Sequence, residues 1–196
     1  MNKKKVTLLA VAAIWLSILS GLTLAYFTAE DTAHNVITTG QVDIKIEEWQ
    51  ETDNGLVPYP KDKPQEAMPS DVISKVAKIK NLDADAWIRA KAKITVKDSE
   101  GKLMEVPEEK LQSIIVLIGS DSKWVRKTGD SEWLYYNASV PAGQSTEPLF
   151  KSLRFDGPGM TNEFQDCTVE VTVDAQAVQT ANNGSSVVEA AGWPES

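Results

Sequence analysis

The sequence has one cysteine, Cys167, and one histidine, His34, among its 196 residues. A single cysteine excludes an internal disulfide, so the core alone must hold the fold together. We expect the Cys167 thiol to be buried in a strand, with an intermolecular disulfide as the alternative. A single histidine excludes the zinc-protease motif of two histidines four residues apart on a helix. We expect His34 to be solvated.

The sequence also lacks the other common signatures of catalysis and cofactor binding. It has no Gly-x-Ser-x-Gly elbow, no glycine-rich phosphate loop, no dinucleotide fingerprint and no EF-hand calcium loop. A pair of Cys167 and His34 would depend on contact in the fold alone. Carboxylates can bind Ca²⁺, but we expect solvated side chains at the candidates, which are Asp83, Asp85, Asp121, Asp130 and Glu132. The sequence therefore predicts no catalytic residue, no metal site and no cofactor.

Basic residues are the minority among the charged ones. The 20 Lys and Arg against 28 Asp and Glu give a net charge of −8 at pH 7. Such a surface repels phosphates, so we expect no nucleic-acid partner. The chain is 42% hydrophobic and 24% charged, which is typical of one globular domain.

The N-terminal segment has the pattern of a secretory signal. Lys3–Lys5 precede an apolar run, Val6–Ala25, and no further charge appears until Glu30. Small residues end the run, so we predict a signal peptide at 1–25 and cleavage between Ala25 and Tyr26. An uncleaved anchor helix is the alternative, since about 20 apolar residues span a bilayer. Either way the rest of the chain lies outside the cytoplasm, because the basic end stays inside. The membrane is then contacted only through this segment, before cleavage.

The rest of the chain shows mainly the period-two pattern of β-strands. Two long alternating segments have apolar faces made of Ile88, Ala90, Ala92, Ile94 and Val96, and of Val169, Val171, Val173, Ala175 and Ala177. Residues 51–70 hold too many prolines and glycines for a central strand and indicate a surface excursion. Pro107 indicates the start of one short helix. About eight strands without βαβ alternation predict an all-β, two-sheet antiparallel sandwich with little helix beyond the signal segment.

Four aromatic residues flank a predicted hairpin turn at Thr128–Ser131; they are Trp124, Trp133, Tyr135 and Tyr136. If exposed, they would form a platform for a sugar or a protein partner, with Trp124 and Tyr136 as the candidate surface-binding residues. Strand alternation instead places Trp133 and Tyr135 on one side and Tyr136 on the other. We therefore favour core packing for about half of them.

Several segments together resemble a known family of exported proteins. They are the stretch from Leu24 to Ile44, and "WIRAKAKITV" (Trp87–Val96), "WLYYNASVPAGQSTEPLF" (Trp133–Phe150) and "VTVDAQAVQTANNG" (Val171–Gly184). These segments are similar to the TasA/camelysin group, whose members are exported with a signal peptidase of the SipW type. The resemblance covers nearly the whole chain. It implies a jelly-roll-like sandwich, processing at Ala25–Tyr26, and a place on the cell surface or in the biofilm matrix.

The fibre-forming relatives imply a mechanism of assembly, in which a freed N-terminal segment adds as a strand to the next subunit. The candidate donor here is Tyr26–Ile37, with Phe27, Val36 and Ile37 as apolar anchors. The alternative, which we favour for this chain, is that the segment is the first strand of its own domain, because its middle is polar. The chain then divides into a signal peptide (1–25), an N-terminal segment (26–40), a sandwich (41–181) and a tail (182–196).

The functional expectation is a secreted structural or interaction protein of the bacterial cell surface or biofilm matrix, and not an enzyme. Its expected partners are the signal peptidase during export, and then other copies of itself or other matrix and surface proteins. A secreted metallopeptidase, suggested by the camelysin relatives, is disfavoured by the single histidine. A glycan- or ligand-binding surface module is the third possibility and requires exposed aromatic residues.

Overall fold

The computed structural model describes residues 27–38, 42–60 and 65–194. The predicted signal peptide and its cleavage site at Ala25–Tyr26 lie outside these residues. In the described part the strands are β1 (Phe27–Thr38), β2 (Ile44–Thr52), β3 (Gly55–Pro58), β4 (Gln65–Ala67), β5 (Val72–Asn81), β6 (Ala86–Lys97), β7 (Ile115–Ile118), β8 (Trp124–Arg126), β9 (Leu134–Tyr136), β10 (Phe150–Phe155) and β11 (Thr168–Gln179). One α-helix, α1, spans Glu108–Ile114, and a 3₁₀ turn spans Asn162–Phe164. No helix in these ranges is both long and apolar enough to cross a bilayer.

The strands form two sheets, which confirms the predicted all-β sandwich. The large sheet has the order β4-β1-β11-β6-β9-β8, and the small sheet has the order β3-β2-β5-β10-β7. Neighbouring strands are antiparallel at every described pairing except one, since β1 runs parallel to β11. The first and last strands of the described chain are therefore side by side within the large sheet.

The core lies between the two sheets, where strand alternation predicted it. β6 and β11 pair over twelve residues, from Thr168 beside Lys97 to Gln179 beside Ala86. Their inward side chains Ile88, Ala90, Val169, Val171 and Val173 are at most 1% exposed. Each fully buried Val or Ile contributes roughly 1.5–3 kcal/mol of hydrophobic stabilisation. This ladder is the longest described pairing in the large sheet, and the other strands of that sheet lie on either side of it.

The proline-rich stretch predicted as a surface excursion contains two short strands, β3 and β4. Both lie at the edge of a sheet. A proline such as Pro58 is tolerated in an edge strand, because the side of the strand that lacks the N–H donor can face solvent. The described residues contain eleven strands rather than about eight. Of the additional strands, β3 and β4 have four and three residues, which is too short for an alternating pattern to be recognised, and β1 is the N-terminal segment whose middle is polar.

The described part of the tail predicted for residues 182–196 folds back on the outer face of the large sheet. Val187 is fully buried there and Ala190 is 5% exposed. Trp87 on β6 donates its indole N–H to the carbonyl of Asn183 at 2.9 Å. The Asn183 side chain in turn bonds to the backbone N–H and carbonyl of Ala191, at 2.8 and 3.1 Å. The described part of the tail thus packs on the outer face of the sandwich.

Candidate functional site

The candidate donor segment lies in the structure as β1, a strand of its own chain's large sheet. β1 pairs with β11 from Thr28 beside Thr168 to Thr38 beside Ala177. The register shifts between Ala33 and Val36, on either side of His34 and Asn35. Of the predicted anchors, Val36 and Ile37 lie beside Ala175 and Gln176, whereas Phe27 pairs with Ala67 of β4.

The pairing of β1 with β11 is shorter and less regular than the pairing of β6 with β11. On the second side of β1 the described partner is β4, which pairs with β1 only at Phe27–Ala29. Parallel pairing is slightly less stable per residue than antiparallel pairing, and the irregularity after Ala33 interrupts the ladder further. On the other side of β11, the long ladder with β6 does not involve β1. The described pairings of β1 are therefore those with β11 and, at three residues, with β4.

The aromatic residues proposed for surface binding are buried. Trp124 is 7% exposed and Tyr136 is 4% exposed, and their ring centroids are 5.1 Å apart. Trp124 donates its indole N–H to the carbonyl of Glu147, whose backbone N–H donates to the Tyr136 hydroxyl. The two rings belong to the main core, because β8 pairs Trp124 directly with Tyr136 on the inward side. They do not form the exposed platform considered from the sequence.

The outward aromatic residues of the same hairpin hold the C-terminal tail. Trp133 and Tyr135 pack in a second cluster with Val187 and, at its margin, Trp193, as the alternation predicted for their side of the strand. The Arg89 guanidinium lies 4.5 Å from the Trp133 ring centroid and 4.8 Å from that of Trp193. Each contact of this kind contributes about 0.5–2 kcal/mol. Sequence reasoning missed this arrangement, because Arg89 and Trp193 lie far apart in the chain.

Arg89 is also fixed by hydrogen bonds. Its Nε and Nη2 donate to Oε1 of Gln176 on β11, at 2.8 and 2.6 Å, and its Nη1 donates to the Tyr135 hydroxyl at 3.1 Å. Nη2 also approaches the carbonyl of Pro194 in the tail at 3.3 Å. The guanidinium thus joins β6, β9, β11 and the tail, which makes it the central polar group of the outer face.

Asp130 in the hairpin turn accepts a hydrogen bond from the Tyr135 hydroxyl at 2.7 Å. Burial opposes its ionisation, but this bond and those from the backbone N–H groups of Trp133 and Glu132 hold the pKa of Asp130 below its ordinary value. Burial, together with the hydrogen bond to Asp130, raises the pKa of Tyr135. Both groups stabilise the turn, and the Asp130 carboxylate is occupied by hydrogen bonds within it.

The other candidates for chemistry are also engaged in local contacts. Cys167 is 2% exposed, as predicted, with its Sγ 3.4 Å from Sδ of Met104. Burial raises the pKa of the Cys167 thiol, and the nearby carboxylates Asp98 and Asp166 add to this. Glu132 pairs with Lys91, and Asp121 accepts the backbone N–H of Lys123. Within the described ranges, no three His, Cys, Asp or Glu residues are grouped so as to hold a metal ion.

No protein-family model, curated protein or solved structure matches this chain.

Proposed function

We propose that this chain is an exported structural or interaction protein of the bacterial cell surface or biofilm matrix. We propose further that copies of it assemble by exchanging β1. The observation that carries the proposal is the position of β1. It pairs in parallel with β11, and its other described partner, β4, pairs with it at only three residues. A strand held in this way can leave its own sheet and be replaced by the same strand of a second copy.

Three features of the chain support this function. The predicted signal peptide accounts for export and frees the start of β1 after cleavage at Ala25–Tyr26. The resemblance to the TasA/camelysin group supplies both the SipW-type peptidase and the matrix or cell-surface location. The long ladder between β6 and β11 gives a sandwich that keeps its centre when β1 leaves. The isolated chain with β1 in its own sheet is then the resting form.

The alternatives receive no comparable support. A glycan-binding platform built from Trp124 and Tyr136 requires exposure that these residues lack. A metallopeptidase requires a set of metal ligands, for which the family resemblance is the only argument. Exchange of β1 instead uses a main-chain surface, so it needs no catalytic group.

A capping experiment tests the proposal. A chain that starts at Thr39 lacks β1 and so cannot donate, but its β11 edge is free to accept. Added in small amounts to the chain that starts at Tyr26, it should terminate growing assemblies and shorten them in proportion to its concentration. Assemblies whose length is unaffected by the truncated chain would contradict exchange of β1.

A further inference from the structure

A lysine and a glutamate meet inside the sandwich, between the two sheets. Lys75 lies on β5 and Glu48 lies on β2, and their side chains are 2% and 1% exposed. On each strand the pair occupies the inward side, in line with Ala77 and Ile79 on β5 and with Ile46 on β2. Nζ of Lys75 is 2.8 Å from Oε1 of Glu48. Two groups that are normally solvated are therefore in contact at the centre of the small sheet.

The strand register explains how the two side chains meet. Glu48 pairs directly with Ala77, so Lys75, two residues along β5, is its diagonal neighbour. A long side chain can reach across such a diagonal. Tyr59 then covers the pair: its ring centroid lies 3.9 Å from Nζ of Lys75, and its backbone N–H donates to the carbonyl of Glu48 at 3.0 Å. Tyr59 itself is 5% exposed, so the contact is closed to bulk water.

Burial makes the charged form of this pair costly. Removing a carboxylate and an ammonium from water has a penalty of several kcal/mol per ion, which their attraction offsets only with ideal geometry. The penalty applies to the ions and not to the neutral amine and acid. Converting the pair to a neutral group would remove this penalty.

We propose that Lys75 and Glu48 condense to form an intramolecular isopeptide bond that joins β2 to β5. The Lys75 ammonium first gives one proton to the Glu48 carboxylate. The neutral amine then attacks Cδ of Glu48, and a Nζ–Cδ bond forms. The Cδ–O bond to the protonated oxygen breaks, and that oxygen takes a second proton from Nζ and departs as water. The product is a neutral amide, and the step needs no oxidant, reductant or cofactor.

The structure favours this reaction in two ways. The strands hold the reacting groups in contact, and well-oriented intramolecular reactions have effective molarities of about 10⁵–10⁸ M. The amide also replaces two buried charges, so the desolvation penalty drives the condensation forward. The cross-link would give this chain a covalent constraint that its single cysteine cannot provide.

Peptide mapping of the full chain tests the proposal. The purified protein is unfolded, digested with trypsin and analysed by tandem mass spectrometry. We expect no cleavage after Lys75, and a branched peptide that joins the Lys75 and Glu48 segments and is lighter by one water than the two linear peptides together. In Lys75→Met the branched peptide should be absent. Lys80→Met is the matched control, because Lys80 approaches Glu47 on the same two strands at 4.0 Å but is 37% exposed; this variant should keep the branch.

Two results would overturn the proposal. One is recovery of the Lys75 and Glu48 segments as separate linear peptides from the folded, aged protein. The other is a branch from Lys75 to a carboxyl group other than that of Glu48. The wild-type map decides the matter even if Lys75→Met fails to fold.

Discussion

Thr32 of the first strand lies beside Thr172 of the last strand, in a parallel pairing of β1 with β11. The two residues are separated by most of the chain, so this pairing joins the first and last described strands within the large sheet. Because β11 is already bound to β6 on its other side, the pairing with β1 is an addition to a complete antiparallel ladder. This relationship makes β1 part of the native domain, and it is the position from which we propose that β1 is exchanged between copies.

The groove left by β1 should accept β1 as a separate peptide. We expect a peptide of residues 26–38 to bind the chain that starts at Thr39 and to raise its melting temperature, because main-chain hydrogen bonds to β11 are restored. Fluorescence anisotropy of the labelled peptide measures the binding. A scrambled peptide of the same composition is the control. Equal binding of both peptides would contradict specific pairing of β1 with β11.

The contact of Trp193 with the hairpin should contribute to stability. Replacing Trp193 by Ala removes its edge-on contact with Tyr135, at 5.8 Å between centroids, and its stacking on Arg89. We expect a loss of about 1–3 kcal/mol in the free energy of unfolding, measured by urea denaturation. Leu82→Ala is the control, since Leu82 is 47% exposed and should change stability by less than about 0.5 kcal/mol. Equal effects of the two variants would mean that the tail is not docked.

The hydrogen bond from Tyr135 to Asp130 should make part of the stability dependent on acid. The folded pKa of Asp130 is depressed, so its contribution is complete above the unfolded pKa of about 3.9 and is lost as the pH falls through the lower folded value. Tyr135→Phe should lower stability near neutrality by about 1 kcal/mol and flatten the acid limb of the curve. Tyr136→Phe is the matched control, because the Tyr136 hydroxyl accepts from a backbone N–H and its loss should leave the acid limb unchanged.

The Cys167 thiol should be unreactive in the folded protein. It is 2% exposed and its pKa is raised by burial, so a thiol reagent should modify it only as fast as the protein opens. Colorimetric titration with and without denaturant measures both rates. Leu103→Cys in a Cys167→Ala background is the control, because Leu103 is 57% exposed and should react at once. Rapid reaction of native Cys167 would contradict its burial.

Much of the sandwich could be predicted because apolar and polar residues alternate along its long strands. The alternation of Ile88 to Val96 and of Val169 to Ala177 identified β6 and β11, and the hairpin alternation placed Trp133 and Tyr135 opposite Tyr136. These predictions depend on local periodicity, which can be recognised in a single sequence. The buried thiol of Cys167 followed from the same strand pattern.

The features that were missed depend on contacts between distant residues. No local signal indicates that β1 runs parallel to β11, or that Arg89 stacks on Trp193 across the sheet. Lys75 and Glu48 resemble solvated residues in sequence, since a charged side chain in a strand is usually outward. The register of β2 on β5 makes these two residues neighbours, and their burial shows that they lie on the inward side.

The most direct test of the central claim is to lock β1 in its own sheet. In a Cys167→Ala background, the variant Thr32→Cys with Thr172→Cys places two thiols at neighbouring positions of β1 and β11, a spacing suited to a disulfide. Light scattering and electron microscopy at rising concentration then compare the oxidised and reduced forms of the chain that starts at Tyr26. Exchange of β1 predicts that the oxidised form stays monomeric and that the reduced form assembles. Assembly of the oxidised form would contradict it, as would a reduced form that stays monomeric.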